Sequence, residues 1–395
     1  MQHSRSRDLD GVRGLAILLV VASHSGLPVR WGGLSGVTLF FVLSGYLITS
    51  LLLREWDRWG SISLGRFWGR RALRLLPALL LLLLLVPPLL LVTGDDRLGG
   101  YPVAALASLF YVGNWVRIAG TDLGVLNHLW SLSVEEQFYV VWPAVFIGLM
   151  TWLRSRALGV VLALAGLATF YSVWTQGSEA RLDISTETNA FALLLGVALA
   201  FGLAAVRRHG WELPATSPLV PFLVMVAVSA FPGRSLEVDH PLFRPLGAVY
   251  ALIGVWLVYA AATGRSRLVG SRVMVFFGTI SYALYLWHQT FINSLLLGEH
   301  STPRNLLLIT AAVVVSWLSW VLVEAPVGRL RGRLRLDQPS SRQQAHAASR
   351  DAQEDAADIG ADIAPDIAPD IEADIAADIA ADMEKEGPRP STSNV

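Results

Sequence analysis

Apolar runs long enough to cross a bilayer recur along residues 14–325, separated by short segments rich in arginine and tryptophan. By length and hydropathy they predict spans near 13–29, 36–53, 74–93, 134–153, 157–175, 188–206, 218–232, 242–263, 273–297 and 304–323. This is the pattern of an all-α fold, a polytopic membrane helical bundle of about ten spans. Residues 101–116, YPVAALASLFYVGNWV, are apolar but short. Counting them as a span would put Arg154, Arg156, Arg207 and Arg208 on the wrong side, so a re-entrant or surface-lying segment is expected there.

Arginine placement orients the bundle. With the N-terminus inside, 20 arginines fall in the inside segments and seven outside. Short cytoplasmic loops retain positive charge, so both termini are expected in the cytoplasm of a multi-pass cell-membrane protein. The first apolar stretch, GLAILLVVASHSGLPV, lacks a small-x-small exit and contains a histidine, which marks a retained span. Residues 54–70, REWDRWGSISLGRFWGR, interleave aromatic and basic side chains and suit the headgroup layer.

Composition changes the picture at one end. The net charge of zero hides 14 acidic and four basic residues over 337–395, against 17 acidic and 27 basic before them. A membrane domain over 1–336 and a disordered acidic cytoplasmic tail over 337–395 are expected. In the tail, Asp recurs every fourth residue from Asp358 to Asp382. On a helix that spacing drifts by about 40° per repeat, so no apolar face forms. The positive charge belongs to the membrane part and implies a lipid bilayer as partner, not nucleic acid. Cysteine is absent, which excludes disulfides and thiolate chemistry. The histidines lack ligand spacing, so no metal is expected.

Three groups do not belong in lipid. His24 lies eleven residues after Arg13, about 16 Å deeper along a helix. It is either a packing residue or a proton acceptor. Arg71 and Arg74 share one helix face, extended by Arg66 and Arg70. They are either headgroup anchors or a bidentate grip on phosphate. In NHLWSLSVEEQFYVVWP, residues 127–143, Ser133 and Glu136 fit a capping box, leaving Glu135 without a structural duty. Such a carboxylate can orient a histidine or receive a proton. His128 and Gln137 add polarity nearby, and His288, in ISYALYLWHQTF, is read as core packing.

Three stretches, RDLDGVRGLAILLVVASH, GVTLFFVLSGYLITSLLLREWDRWGSISLGRFWGRRALRLLP and NHLWSLSVEEQFYVVWP, together resemble successive signatures of the acyltransferase 3 family. The resemblance is dense over 7–143 and continues weakly through YALYLWH to about 326. It implies an integral-membrane O-acyltransferase that moves acetyl or another short acyl group from acyl-CoA to a hydroxyl. The acceptors it implies are carbohydrates, cell-envelope glycans or macrolide-type metabolites. It makes Arg13 and His24 the arginine–ten–histidine motif, with His24 catalytic. Arg71 and Arg74, with Arg13, become the residues that meet coenzyme A, and Glu135 the acidic position of the third signature. Thr38 departs from the pattern, since many members carry aspartate before LFFVLSG.

The resulting expectation is that acyl-CoA docks from the cytoplasm and His24 acts as base, oriented or charged by Glu135. No permanently bound cofactor is needed. An acyl-histidine intermediate is an alternative route. A transporter of an anionic or sugar-like solute is the rival, and it predicts an internal repeat with broken helices, which the sequence does not display. A membrane scaffold acting through its acidic tail leaves His24, Arg71, Arg74 and Glu135 without a common explanation.

Overall fold

The computed structural model describes residues 7–25, 31–175, 178–230, 243–294 and 302–334, with isolated positions between 339 and 349. All regular structure among the described residues is helical. The first helices are α1 (Arg7–His24), α2 (Gly32–Trp59), α3 (Leu64–Thr93), α4 (Tyr101–Leu109), α5 (Gly113–Ile118), α6 (Trp130–Trp152) and α7 (Ala157–Trp174). They are followed by α8 (Glu179–Ile184), α9 (Thr186–Arg208), α10 (Leu219–Ser229), α11 (Phe243–Thr263), α12 (Arg272–Ser294), α13 (Thr302–Ser319) and α14 (Ala325–Arg333). A π-helical turn, Trp320–Glu324, joins the last two.

Among the described residues, six helical segments are long and apolar enough to cross a membrane, not the ten or so expected. They are Gly32–Trp59, Leu64–Thr93, Arg154–Trp174, Arg181–Arg208, Pro245–Thr263 and Arg304–Leu330. The shortfall has a physical cause. α1, α6 and α12 have 18, 23 and 23 residues but carry charged or polar side chains in their sequences, including Asp8, Asp10, Glu135, Glu136 and His288. α10 has only 11 residues.

The segment at 101–116 is not one helix. α4 runs for nine residues, about 14 Å against a hydrocarbon core of about 30 Å, and α5 for six. Between them Tyr111 takes φ +54°, a left-handed value that breaks the helix.

α3 shows how an all-apolar helix divides its surface. Leu75, Leu79, Leu82, Val86 and Leu90 form a buried stripe at helical spacing, while Leu84 and Val92 are 72% and 86% exposed. In a candidate membrane span an outward apolar face of this kind needs no protein partner. Packing elsewhere depends on small residues. A methyl group on Gly14 would overlap the Met274 carbonyl, and one on Gly278 that of Asp10, so α1 and α12 meet backbone to backbone. Gly45 and Gly196 bring α2 and α9 together in the same way.

Met1–Asp57 and Ile62–Gln338 form one compact unit; Arg58–Ser61 group with Pro339–Val395 in a second. The expected acidic repeat at Asp358–Asp382 lies outside the described residues.

Candidate active site

Arg13 and His24 lie on α1 about 16 Å apart along its axis, and each opens into a different cavity. Arg13, Arg70, Arg71, Arg74 and Glu324 line a chamber of about 510 Å³. It continues into a narrow pocket walled by Ser44, Ser131, Glu135, Glu136, Tyr139 and Tyr285, and Arg13, Arg71, Arg74 and Tyr139 belong to both. The second large cavity, about 430 Å³, is lined by His24, Thr38, Arg117, His128, Asp183 and His288, among others. Val37 and Tyr285 line both the narrow pocket and this histidine cavity. The structure therefore brings Arg13, Arg71, Arg74 and Glu135 together and sets His24 apart, with Tyr285 between.

The arginine side is held by paired charge. Arg71 Nη2 donates to Glu136 Oε1 at 2.8 Å, and its guanidinium lies 3.3 Å from the centroid of the Tyr139 ring. The two side chains are only 15% and 11% exposed, so each supplies the countercharge that lets the other stay buried. Arg71 Nε has no hydrogen-bond partner among the described residues. Arg70 pairs with Glu55 at 3.3 Å, and Arg74, a turn further on, lines the chamber with an exposed side chain. Glu135 Oε1 accepts from the hydroxyls of Ser44 and Tyr139.

Two sequence expectations need correction. Glu136 does not cap a helix: α6 continues from a 3₁₀ turn, Gly124–Leu129, so Ser133 lies inside it and bonds back to the Leu129 carbonyl at 3.2 Å. Glu136 is free to take Arg71. Nor does Glu135 orient His24. The Nδ1 of His24 is held by the Val20 carbonyl at 2.8 Å, one turn earlier on its own helix, while Glu135 is engaged by Ser44 and Tyr139. A carbonyl only accepts, so Nδ1 carries the proton and Nε2 of the neutral ring is the available base. His24 itself is exposed, open to the cavity.

Sequence reasoning missed Tyr139, Ser44 and Tyr285. Tyr139 was within reach, because it lies four residues after Glu135 and so on the same helix face. Ser44, 91 positions away, carries no such signal. Thr38, the departure from the family pattern, lines the histidine cavity.

The rim of that cavity is built by a loop. Arg117 Nη1 donates to the Asn127 carbonyl at 3.2 Å, and Leu123 N–H donates to Asn127 Oδ1 at 3.0 Å. Asp122 accepts from the Asn127 side-chain amide and from Gly124 N–H, and these two bonds hold its carboxyl below the usual range.

Residues 6–324 match a family model described as an acyltransferase domain. The chain is 32% identical over 354 residues to the peptidoglycan O-acetyltransferase OatA of Listeria monocytogenes, covering 81% of this chain and 55% of that protein. It is 33% identical over 343 residues to a Staphylococcus aureus (strain COL) protein provisionally named an O-acetyltransferase, covering 80% of this chain and 56% of that one. It is 31% identical over 355 residues to YrhL of Bacillus subtilis, provisionally named a peptidoglycan O-acetyltransferase, covering 82% and 55%. The chain thus spans little more than half the length of these relatives. No solved structure matches it.

Proposed function

The chain belongs to the acyltransferase 3 family of multi-pass membrane enzymes, and from that premise we propose that it transfers an acetyl group from acetyl-CoA to a hydroxyl of a cell-envelope glycan. The names of the relatives favour a peptidoglycan-type acceptor over a macrolide-type metabolite. One observation carries the reading: the narrow pocket that continues the arginine chamber shares Tyr285 and Val37 with the histidine cavity, and the chamber suits a polyphosphate while the cavity suits a neutral hydroxyl.

In this reading Arg13, Arg71 and Arg74 hold the phosphates of coenzyme A, whose thioester end runs toward Tyr285. The acceptor enters the histidine cavity. His24 Nε2 takes the hydroxyl proton as the oxygen attacks the thioester carbon; the C–O bond forms, the C–S bond breaks and the thiolate leaves. Glu135 is a positioning residue on the donor side, fixing Ser44 and Tyr139, rather than a partner of His24. The topology belongs to the same proposal: about ten spans, a re-entrant or surface-lying segment at 101–116, and both termini cytoplasmic.

The test uses the full chain in proteoliposomes with acetyl-CoA and soluble glycan fragments. Thiol release and ester formation should rise together only when the glycan is present. Acetyl-CoA binding without ester formation on glycans, together with acetylation of a macrolide, would move the acceptor class. A reporter near residue 122 should read external and one after 336 cytoplasmic.

A further inference from the structure

The arginine chamber contains one carboxylate that the reaction above does not use. Glu324 lines it together with Arg13, Arg70, Arg71 and Arg74. Its Oε1 is buried and has no hydrogen-bond partner among the described residues. A desolvated carboxylate oxygen without a donor is costly, and a ligand N–H or O–H can meet it. A phosphate anion cannot, because it brings only acceptors and like charge. Glu324 therefore marks a part of the chamber that suits a neutral, donor-bearing group.

Local structure sets the walls of that part. Glu324 ends the π-helical turn Trp320–Glu324, a form that is rare and concentrates at functional sites. Trp320, Glu324, Val327 and Gly328 follow at spacings of four, three and one, so they share a helix face, and all four line the chamber. On α2, Leu47, Ile48, Leu51 and Arg54 make a second such face on the same chamber. Neither stripe lines the narrow pocket, whereas Arg13, Arg71 and Arg74 line both spaces. Ser44 also lines both, and Leu51 lies seven residues beyond it, about 10 Å along α2. A methyl added at Gly328 would meet nothing within 4 Å, so the wall one turn beyond Glu324 is open.

The order of groups along an acyl-CoA fits this division. Its thioester arm and its adenosine lie on opposite sides of the pyrophosphate. With the arm in the narrow pocket and the pyrophosphate on Arg13, Arg71 and Arg74, the adenosine falls in the rest of the chamber. A purine has flat, weakly polar faces and, in adenine, a 6-amine on its edge. Trp320 offers such a face an aromatic surface, and Glu324 is an acceptor for the amine. We propose that Trp320 and Glu324, with Leu47, Ile48 and Leu51 of α2, form an adenine subsite in which Glu324 Oε1 accepts from the 6-amine. The proposal rests on the acyl-CoA donor of the reading above. It gives Glu324 a part in specificity: the arginines accept any polyphosphate, and the carboxylate selects the base attached to it.

The test titrates binding to the full chain in bilayer discs with three probes. They are acetyl-CoA, its analogue with hydrogen in place of the 6-amine, and acetyl phosphopantetheine, which lacks the adenosine. The parent should bind acetyl-CoA about tenfold or more tighter than either of the others. Glu324→Ala should bind acetyl-CoA and the deamino analogue within about twofold of one another. Glu324→Gln keeps an acceptor oxygen and should retain the preference for the amine. Gly328→Phe puts a ring into the open space and leaves Glu324 in place; it should weaken acetyl-CoA and leave acetyl phosphopantetheine unchanged. A parent that does not distinguish the deamino analogue overturns the subsite. So does tighter acetyl-CoA binding by both Glu324 variants, which would make the carboxylate only a like charge against phosphate. A parent that shows the preference but transfers no acetyl group keeps the subsite and fails the transferase reading. One that transfers acetyl without the preference does the reverse.

Discussion

The arginine chamber and the histidine cavity solve the problem of polarity in a membrane in opposite ways. In the first, most buried charge is met by charge or hydroxyl: Arg71 by Glu136, Arg70 by Glu55, Glu135 by Ser44 and Tyr139. In the second, three imidazoles each satisfy one nitrogen on a backbone carbonyl and leave the other bare. A full charge in low dielectric demands its countercharge, whereas a neutral ring tolerates an unmade bond at lower cost. Paired groups make a rigid receptor; unpaired lone pairs make a base. In the proposed function, that difference gives binding to one end of α1 and proton transfer to the other.

The sharpest way to break that division is His24→Ala. General-base loss should lower transfer by roughly 10²- to 10⁴-fold while acetyl-CoA affinity stays at the parental value. Rate and titration are measured on the same folded, inserted protein. A comparable loss of affinity would show that the two ends are one site.

Next in size is Glu136→Ala. It leaves Arg71 buried without its countercharge, at a cost of about 3–5 kcal/mol. Thermal unfolding in detergent should show a clear loss of stability, and Arg71→Met combined with Glu136→Met should recover much of it. If Glu136→Ala is as stable as the parent, the pair does not organise the chamber.

Arg→Lys substitutions sharpen the binding side. Arg74, whose side chain is exposed in the chamber, should lose acetyl-CoA affinity as lysine: one charge-assisted bond is about 1.5–3 kcal/mol, roughly ten- to a hundredfold. Arg71→Lys should lose affinity and stability together, because the planar fork that reaches Glu136 and stacks on Tyr139 is gone. Arg58→Lys should change neither. Equal affinities in all three would make these arginines anchors, with the donor held elsewhere.

How much of this was legible in the sequence depends on the range of the signal. The all-helical membrane fold and the shared face of Arg71 and Arg74 follow from local periodicity and needed no structure. The span count was harder, because α1, α6 and α12 lose apolarity through the charged and polar residues in their sequences. The partner of Glu135 was illegible: Ser44 reaches it across 91 positions, and no local rule encodes that contact. Glu136 was misread for a related reason. A capping box presumes that the helix begins at Ser133, and the preceding 3₁₀ turn moves that beginning upstream. His288 was read as core packing, and the structure buries it fully, beside His24 and His128.

The smallest expected effect tests the rim of the histidine cavity. Asp122 is exposed, so its bonds to the Asn127 amide and Gly124 N–H contribute only modestly. Its folded carboxyl titrates below the ordinary value, so the charged form is what the loop prefers. The contribution is present above the unfolded value of about 3.9 and is lost as pH falls through the lower folded value. Asn127 lines the cavity, and its carbonyl also receives Arg117, so loosening this clip reaches the acceptor side alone. Asp122→Asn should therefore raise KM for the glycan acceptor by about two- to fivefold at neutral pH, with kcat and acetyl-CoA affinity unchanged. Lowering the pH below about 4 should move the parent's acceptor binding toward that of the variant, while the variant's own binding responds less. The readout is acceptor binding by titration at each pH, separated from turnover. A change in acetyl-CoA affinity without one in acceptor binding would assign this loop to the donor and reverse the roles of the two cavities.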